Sequence, residues 1–104
     1  MPNYTNLFPY PNIYRGTAVA DQRLTVSSVV VTFSAFADTT NLIVLDVQNA
    51  DVMVTFDGSD PSATNGHRLY GGTHYTWSRA TAAAARFIRQ GSTDGVIQAS
   101  EFIL

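Results

Sequence analysis

The side chains able to do chemistry are few, and most of them fall in one stretch. Asp57, Asp60 and His67 lie within eleven residues, and His74 follows seven residues later. Acid–base work by two carboxylates requires them to share a cleft with separated pKa values. Here Asp57 precedes Gly58 and Asp60 precedes Pro61, settings in which Asp hydrogen-bonds its own backbone and shapes a turn. The same four residues form the only metal set worth weighing. Asp57-Gly58-Ser59-Asp60 lacks the alternating ligand order and closing Glu of a calcium loop. His67 and His74 stand either side of Gly71-Gly72, not at the i, i+4 spacing of zinc hydrolases. Gly91-Ser92-Thr93-Asp94-Gly95 places Thr at the centre of a would-be nucleophile elbow and is better taken as a turn. Trp77, Tyr70 and Tyr75 could stack on a sugar, although aromatics in a β domain more often fill its core. Asn3-Tyr4-Thr5 matches a glycosylation sequon, relevant only to a secreted eukaryotic protein. The expectation is a protein with no catalytic residues, no metal ligands and no cofactor.

Composition narrows the remaining classes. The chain has 104 residues, enough for one domain. Charged residues make up 13% of it, about half the usual ~25%. All six basic residues are Arg, and there is neither Lys nor Cys. Disulfide scaffolds, thiolate metal sites, Schiff-base lysines and the P-loop lysine are thereby excluded. A net charge of −2 argues against nucleic acid as a partner, because that needs a basic footprint. No apolar run approaches the roughly 18–20 residues of a membrane span, and the N-terminus lacks the layout of a signal peptide. No membrane association and synthesis in a host cytoplasm are expected.

The elements that position these residues divide into two parts. Residues 1–20 carry Pro2, Pro9 and Pro11 interleaved with Tyr4, Phe8, Tyr10 and Tyr14, with Arg15 the single charge. Proline removes backbone donors and extends its predecessor, so neither helix nor central strand is expected. Disordered tails are poor in aromatics and rich in charge. This segment is the opposite, and it is expected to be an extended arm that lays Tyr4, Phe8, Pro9, Tyr10, Pro11, Tyr14 and Arg15 on another polypeptide.

Residues 21–104 read as a β domain. From Arg23 the pattern is β: Leu24 and Val26, then after a bend at Ser27-Ser28 an alternating run from Val29 to Phe36. Leu42–Gln48 and Val52–Asp57 read as a hairpin, as do Arg86–Gln90 and Val96–Phe102. Ser78 is positioned to cap a short alanine-rich helix before Arg86. Seven or eight short strands with frequent turns predict an all-β fold, an antiparallel sandwich or jelly roll with an extended N-terminal arm. Leu42, Val44, Ile88 and Phe102–Leu104 put apolar residues on both strand faces, which suggests a surface covered by a partner. Arg86, Arg89 and Phe102 are candidates for a secondary interface.

The run Val54-Thr55-Phe56-Asp57-Gly58-Ser59-Asp60-Pro61-Ser62-Ala63-Thr64-Asn65-Gly66-His67, with Leu69, Gly72, Arg86 to Gly95 and the final strand, resembles small structural proteins of tailed bacteriophage virions. The resemblance spans roughly residues 25 to 102 and rests on strands and turns rather than a catalytic motif. It implies a small, non-enzymatic, many-copy virion protein. Within that class, a capsid decoration (cement) protein fits best: homo-oligomeric, a trimer before a dimer, bound to the major capsid protein on the outer capsid surface. A tail, neck or fibre-adaptor component and a host-glycan binding module are the alternatives.

Overall fold

The computed structural model describes residues 16–104. The arm residues Tyr4, Phe8, Pro9, Tyr10, Pro11, Tyr14 and Arg15 therefore lie outside the described part. Seven strands and one short helix follow in order: β1 (Thr17–Val26), β2 (Leu42–Gln48), β3 (Val52–Thr55), β4 (His67–Leu69), β5 (His74–Ser78), α1 (Arg79–Ala84), β6 (Arg86–Arg89) and β7 (Gly95–Ile103). They form an all-β sandwich of two antiparallel sheets, β1-β7-β2-β5 and β4-β3-β6.

The alternation along each strand decides which side faces inward. Ile43, Leu45 and Val47 of β2, Ile97 and Ala99 of β7, Val52 and Val54 of β3 and Phe87 of β6 meet in one buried cluster. Leu42 and Val44, on the other face of β2, are also buried within the chain, so these two need no partner to cover them.

Both predicted hairpins are corrected. β2 pairs with β7 and β5, while β3 pairs with β4 and β6, so the 49–51 connection carries the chain from one sheet to the other. The connection from β6 to β7 crosses in the opposite direction. The physical reason is burial: pairing each strand with its sequence neighbour would leave the apolar inner faces without an opposing layer. Asn49 adopts a φ of 74°, a left-handed conformation that Asn tolerates, and so turns the chain between layers.

Two further boundaries differ from the sequence reading. The first strand begins at Thr17, six residues before the alternation starts, because Thr17 to Val26 pair with Ile103 to Gly95, with one register shift between Ala18 and Ala20. Residues 17–21 are exposed on both faces, so they carry no alternating signal. The expected strand from Val29 to Phe36 is reduced to one bridge, Val31 to Phe87. Its alternation still has a use, since Val31 and Phe33 pack on the core, and Phe36, of the opposite parity, is buried as well.

This segment also completes the second sheet. Ser27 O accepts from Arg89 N at 2.9 Å, and Val31 and Phe87 exchange bonds of 3.0 and 2.9 Å. With residues 27–31 beside β6, the strand order of the two layers is that of a jelly roll. The capped helix forms as its sequence suggests: Ser78 Oγ accepts from Thr81 N at 3.2 Å.

The two sheet-crossing corners are locked to each other. Asn49 Nδ2 donates to Asp94 O at 2.7 Å, and Gln90 N donates to Asp51 O at 3.2 Å. Gly95 sits in this junction, where a Cβ would lie 2.6 Å from Val52 Cγ1 and 2.9 Å from Ala50 O. Gly95→Ala is therefore expected to destabilise the domain by about 1–3 kcal/mol through overpacking. Thermal unfolding checks this, and an unchanged melting temperature would contradict the locked-corner geometry.

Candidate functional site

The stretch that concentrates the reactive residues is the 56–66 loop joining β3 to β4. Its turns are built by its own side chains. Asp57 Oδ1 accepts from Ser59 Oγ at 2.5 Å and Ser59 N at 3.1 Å, and Thr55 Oγ1 donates to Ser59 O at 2.5 Å. Ser62 and Asn65 exchange backbone bonds at 2.9 and 3.3 Å. Gly66 closes the loop at φ +126°, and a Cβ there would lie 2.8 Å from Val54 O. Asp60 Oδ1 takes two bonds from Arg86, at 2.5 and 3.0 Å, which ties the loop to β6.

An open cavity of about 470 Å³ lies beside this loop, lined by Phe56, Asp57, Asn65 and His67 among others. Of the four residues weighed as acid–base or metal groups, Asp57 and His67 thus share a cavity. Asp60 is engaged by Arg86, and His74 stands in the other sheet opposite Asp46. Among the described residues, no three His, Cys, Asp or Glu side chains gather as a metal site. The Ser59 hydroxyl and then the Ser59 amide hold the Asp57 carboxyl below its ordinary value. That shift favours a permanently charged turn-former over a proton donor.

The aromatic trio does not make a single platform. Trp77 packs against the core, stacked on Phe87 at 6.2 Å between centroids and edge-on to Phe56 at 5.3 Å. Tyr75 also packs on the core and its hydroxyl accepts from Tyr70 N at 3.3 Å. Tyr70 points outward, 56% exposed, with the Arg68 guanidinium 5.3 Å from its ring centre.

The arginines suggested for a secondary interface are used inside the chain. Arg86 pairs with Asp60 at 2.5 Å and Arg89 with Asp94 at 2.8 Å. Both pairs are partly exposed and contribute positioning more than stability. Phe102 is half-buried, opposite Ala18 on one side and Leu42 on the other.

Two organising carboxylates went unnoticed in the sequence. Asp51 accepts from Gly71 N at 2.7 Å and from Arg68 at 2.6 and 2.9 Å, joining a corner, a turn and β4. Glu101, buried on the inner face of β7, accepts from Ala37 N and Thr40 Oγ1, each at 2.9 Å. A charged residue on the inward parity of an otherwise apolar strand was the available signal for Glu101. Asp51 offered none, because its partners are 17 and 20 residues away.

The Asp51 pairing gives a pH dependence with a definite sign. The Gly71 amide first, then Arg68, lower the Asp51 pKa from its ordinary 3.8. Its contribution is present above that value and is lost as the pH falls through the lower folded-state value. Asp51→Asn should therefore unfold less steeply than the parent between neutral pH and the acid range. Melting temperatures along a pH series check this, and identical acid limbs would contradict it.

No family model and no curated protein matches this chain. A chain from a solved structure of Bacillus endospore appendages, described as forming a novel family of disulfide-linked pili, is similar over 86% of this chain and 92% of its own. The identity is 8% and the TM-score 0.39, a likeness that carries no argument about function.

Proposed function

We propose that this protein is a non-enzymatic structural component of a tailed-phage virion, a decoration protein that binds the outer face of the major capsid lattice and stabilises it. The observation that carries this reading is where the described sandwich begins. β1 is an edge strand, and the Pro- and aromatic-rich residues 1–15 run directly into it. At Gly16 a Cβ would come within 3.3–3.4 Å of Ile103 O, Phe102 and Leu104, so the first described residue sits at an apolar corner. Val19 and Leu104 are exposed large apolar residues near it.

The polar groups support the same reading. Asp51, Asp57, Asp60, Asp94 and Glu101 all hold loops and corners in place through bonds within the chain. A rigid body carrying a sticky segment suits a lattice-bound protein: many copies each add a contact without new translational cost. A slightly acidic protein suits the outer face of a shell better than the DNA-facing one. Self-association and binding to the major capsid protein belong to this reading, as does the absence of nucleic acid and membrane partners.

The test keeps the chain full length, since removing residues 1–20 would also strip Thr17–Ala20 from β1. Replacing Tyr4, Phe8, Tyr10 and Tyr14 together by Ser should leave the melting temperature unchanged and abolish co-sedimentation with capsid shells. Undiminished binding would overturn the role given to the segment. Copy number by quantitative mass spectrometry of purified particles completes the test. A number comparable to the major capsid protein supports decoration, whereas a few copies would assign the protein to the tail or neck.

A further inference from the structure

Strand β1 is ten residues long, and among the described residues only one of its two edges is paired, to β7. A free edge of that length is a template for another strand, which proteins otherwise blunt with Pro, charges (Lys above all), short length, bulges or a covering helix or loop. Here the strand has no Pro and no Lys, and its single irregularity lies at Ala18–Ala20. Its two charges are Asp21 and Arg23, opposite in sign and two apart, hence on one face. That face is the outer one, because Asp21 accepts from Ser100 Oγ at 2.6 Å and Arg23 donates to Gln98 and Gln48 at 3.1 and 3.3 Å. The ion pairs among the described residues use Arg68, Arg86 and Arg89, so Asp21 and Arg23 each lack an opposite charge there.

We propose that β1 pairs antiparallel with β1 of a second copy of this chain, about a twofold axis through Gln22. That register sets Asp21 against the partner's Arg23 and Arg23 against the partner's Asp21. It also places Ala20 opposite the partner's Leu24. The neighbouring registers fail on simple grounds. A slip of one residue sets the outer side chains of one copy against the inner side chains of the other. Centring on residue 21 or 23 puts like charges directly opposite, which destabilises a strand pair. Charge thus selects one register, and the contact is isologous and closes as a dimer. The two four-stranded sheets become one, in the order β5-β2-β7-β1 followed by its mirror sequence in the partner.

This pairing is independent of the shell-binding role, so either can fail alone. Light scattering on the full-length protein at low ionic strength should give twice 11.3 kDa. Arg23→Asp removes both attractions and sets aspartate against aspartate in each of the two pairs, and it should raise the dimer dissociation constant about tenfold or more. The double exchange Asp21→Arg with Arg23→Asp restores opposite charges in the same register and should restore the dimer. Circular dichroism on each variant establishes that the sheets are intact. If Arg23→Asp proves unfolded, the double exchange alone decides. A monomeric or trimeric parent, a dimer indifferent to Arg23→Asp, or a folded double exchange that stays monomeric would each overturn the proposal.

Discussion

The contact on which the rest depends is the one between Phe87 of β6 and Trp77 of β5, rings parallel within 6° across the two sheets. Phe87 is fully buried and also meets Phe33 edge-on at 5.3 Å, from the segment that links β1 to β2. One residue therefore joins a sheet, the opposing sheet and the crossing segment. Neither sheet is large enough to stand alone with its inner face wet. Only β3 and β4 are sequence neighbours that also pair. β1 and β2 share a sheet without pairing, and the other consecutive pairs are split between layers, so cross-sheet burial, not local hairpins, holds the chain together.

That constraint accounts for where the polar chemistry went. Chains that cross repeatedly between layers need corners, and the corners need hydrogen-bond partners for backbone groups that no ladder satisfies. Asp51, Asn49 and Asp94 serve one end of the sandwich. Glu101 serves another, where it holds the Ala37–Thr40 turn. Asp57 and Asp60 shape the long β3–β4 loop and tie it down. A small number of charges suffices, which is consistent with the low charge content. What this leaves for function is the periphery: a sheet edge, an apolar corner and the segment that runs into it.

The sequence made some of this legible and hid the rest for identifiable reasons. The inward rows Ile43-Leu45-Val47 and Val52-Val54 were visible because period-two burial leaves its mark on composition. Ser78 was visible as a cap because capping depends on residues three apart. The strand partners were not visible: short links such as 49–51 look like hairpin turns, and only the need to cover two inner faces shows that they cross. Thr17–Asp21 escaped notice because an edge strand exposed on both faces has no alternation to find. The candidate metal set does not gather, since Asp57 lies in the β3–β4 loop while His74 lies on β5 in the other sheet.

Amide hydrogen exchange under native conditions tests the central claim most directly, because it reports the free energy of opening element by element. If burial between the sheets is what stabilises both, the amides of Val54 and Phe87 in one sheet and of Ile43, Leu45 and Ile97 in the other should exchange by the same global unfolding event. Their opening free energies should agree and should fall together with denaturant. A second sheet that opens at markedly lower free energy, while β2 and β7 remain protected, would show that the layers are separately stable and would contradict the account.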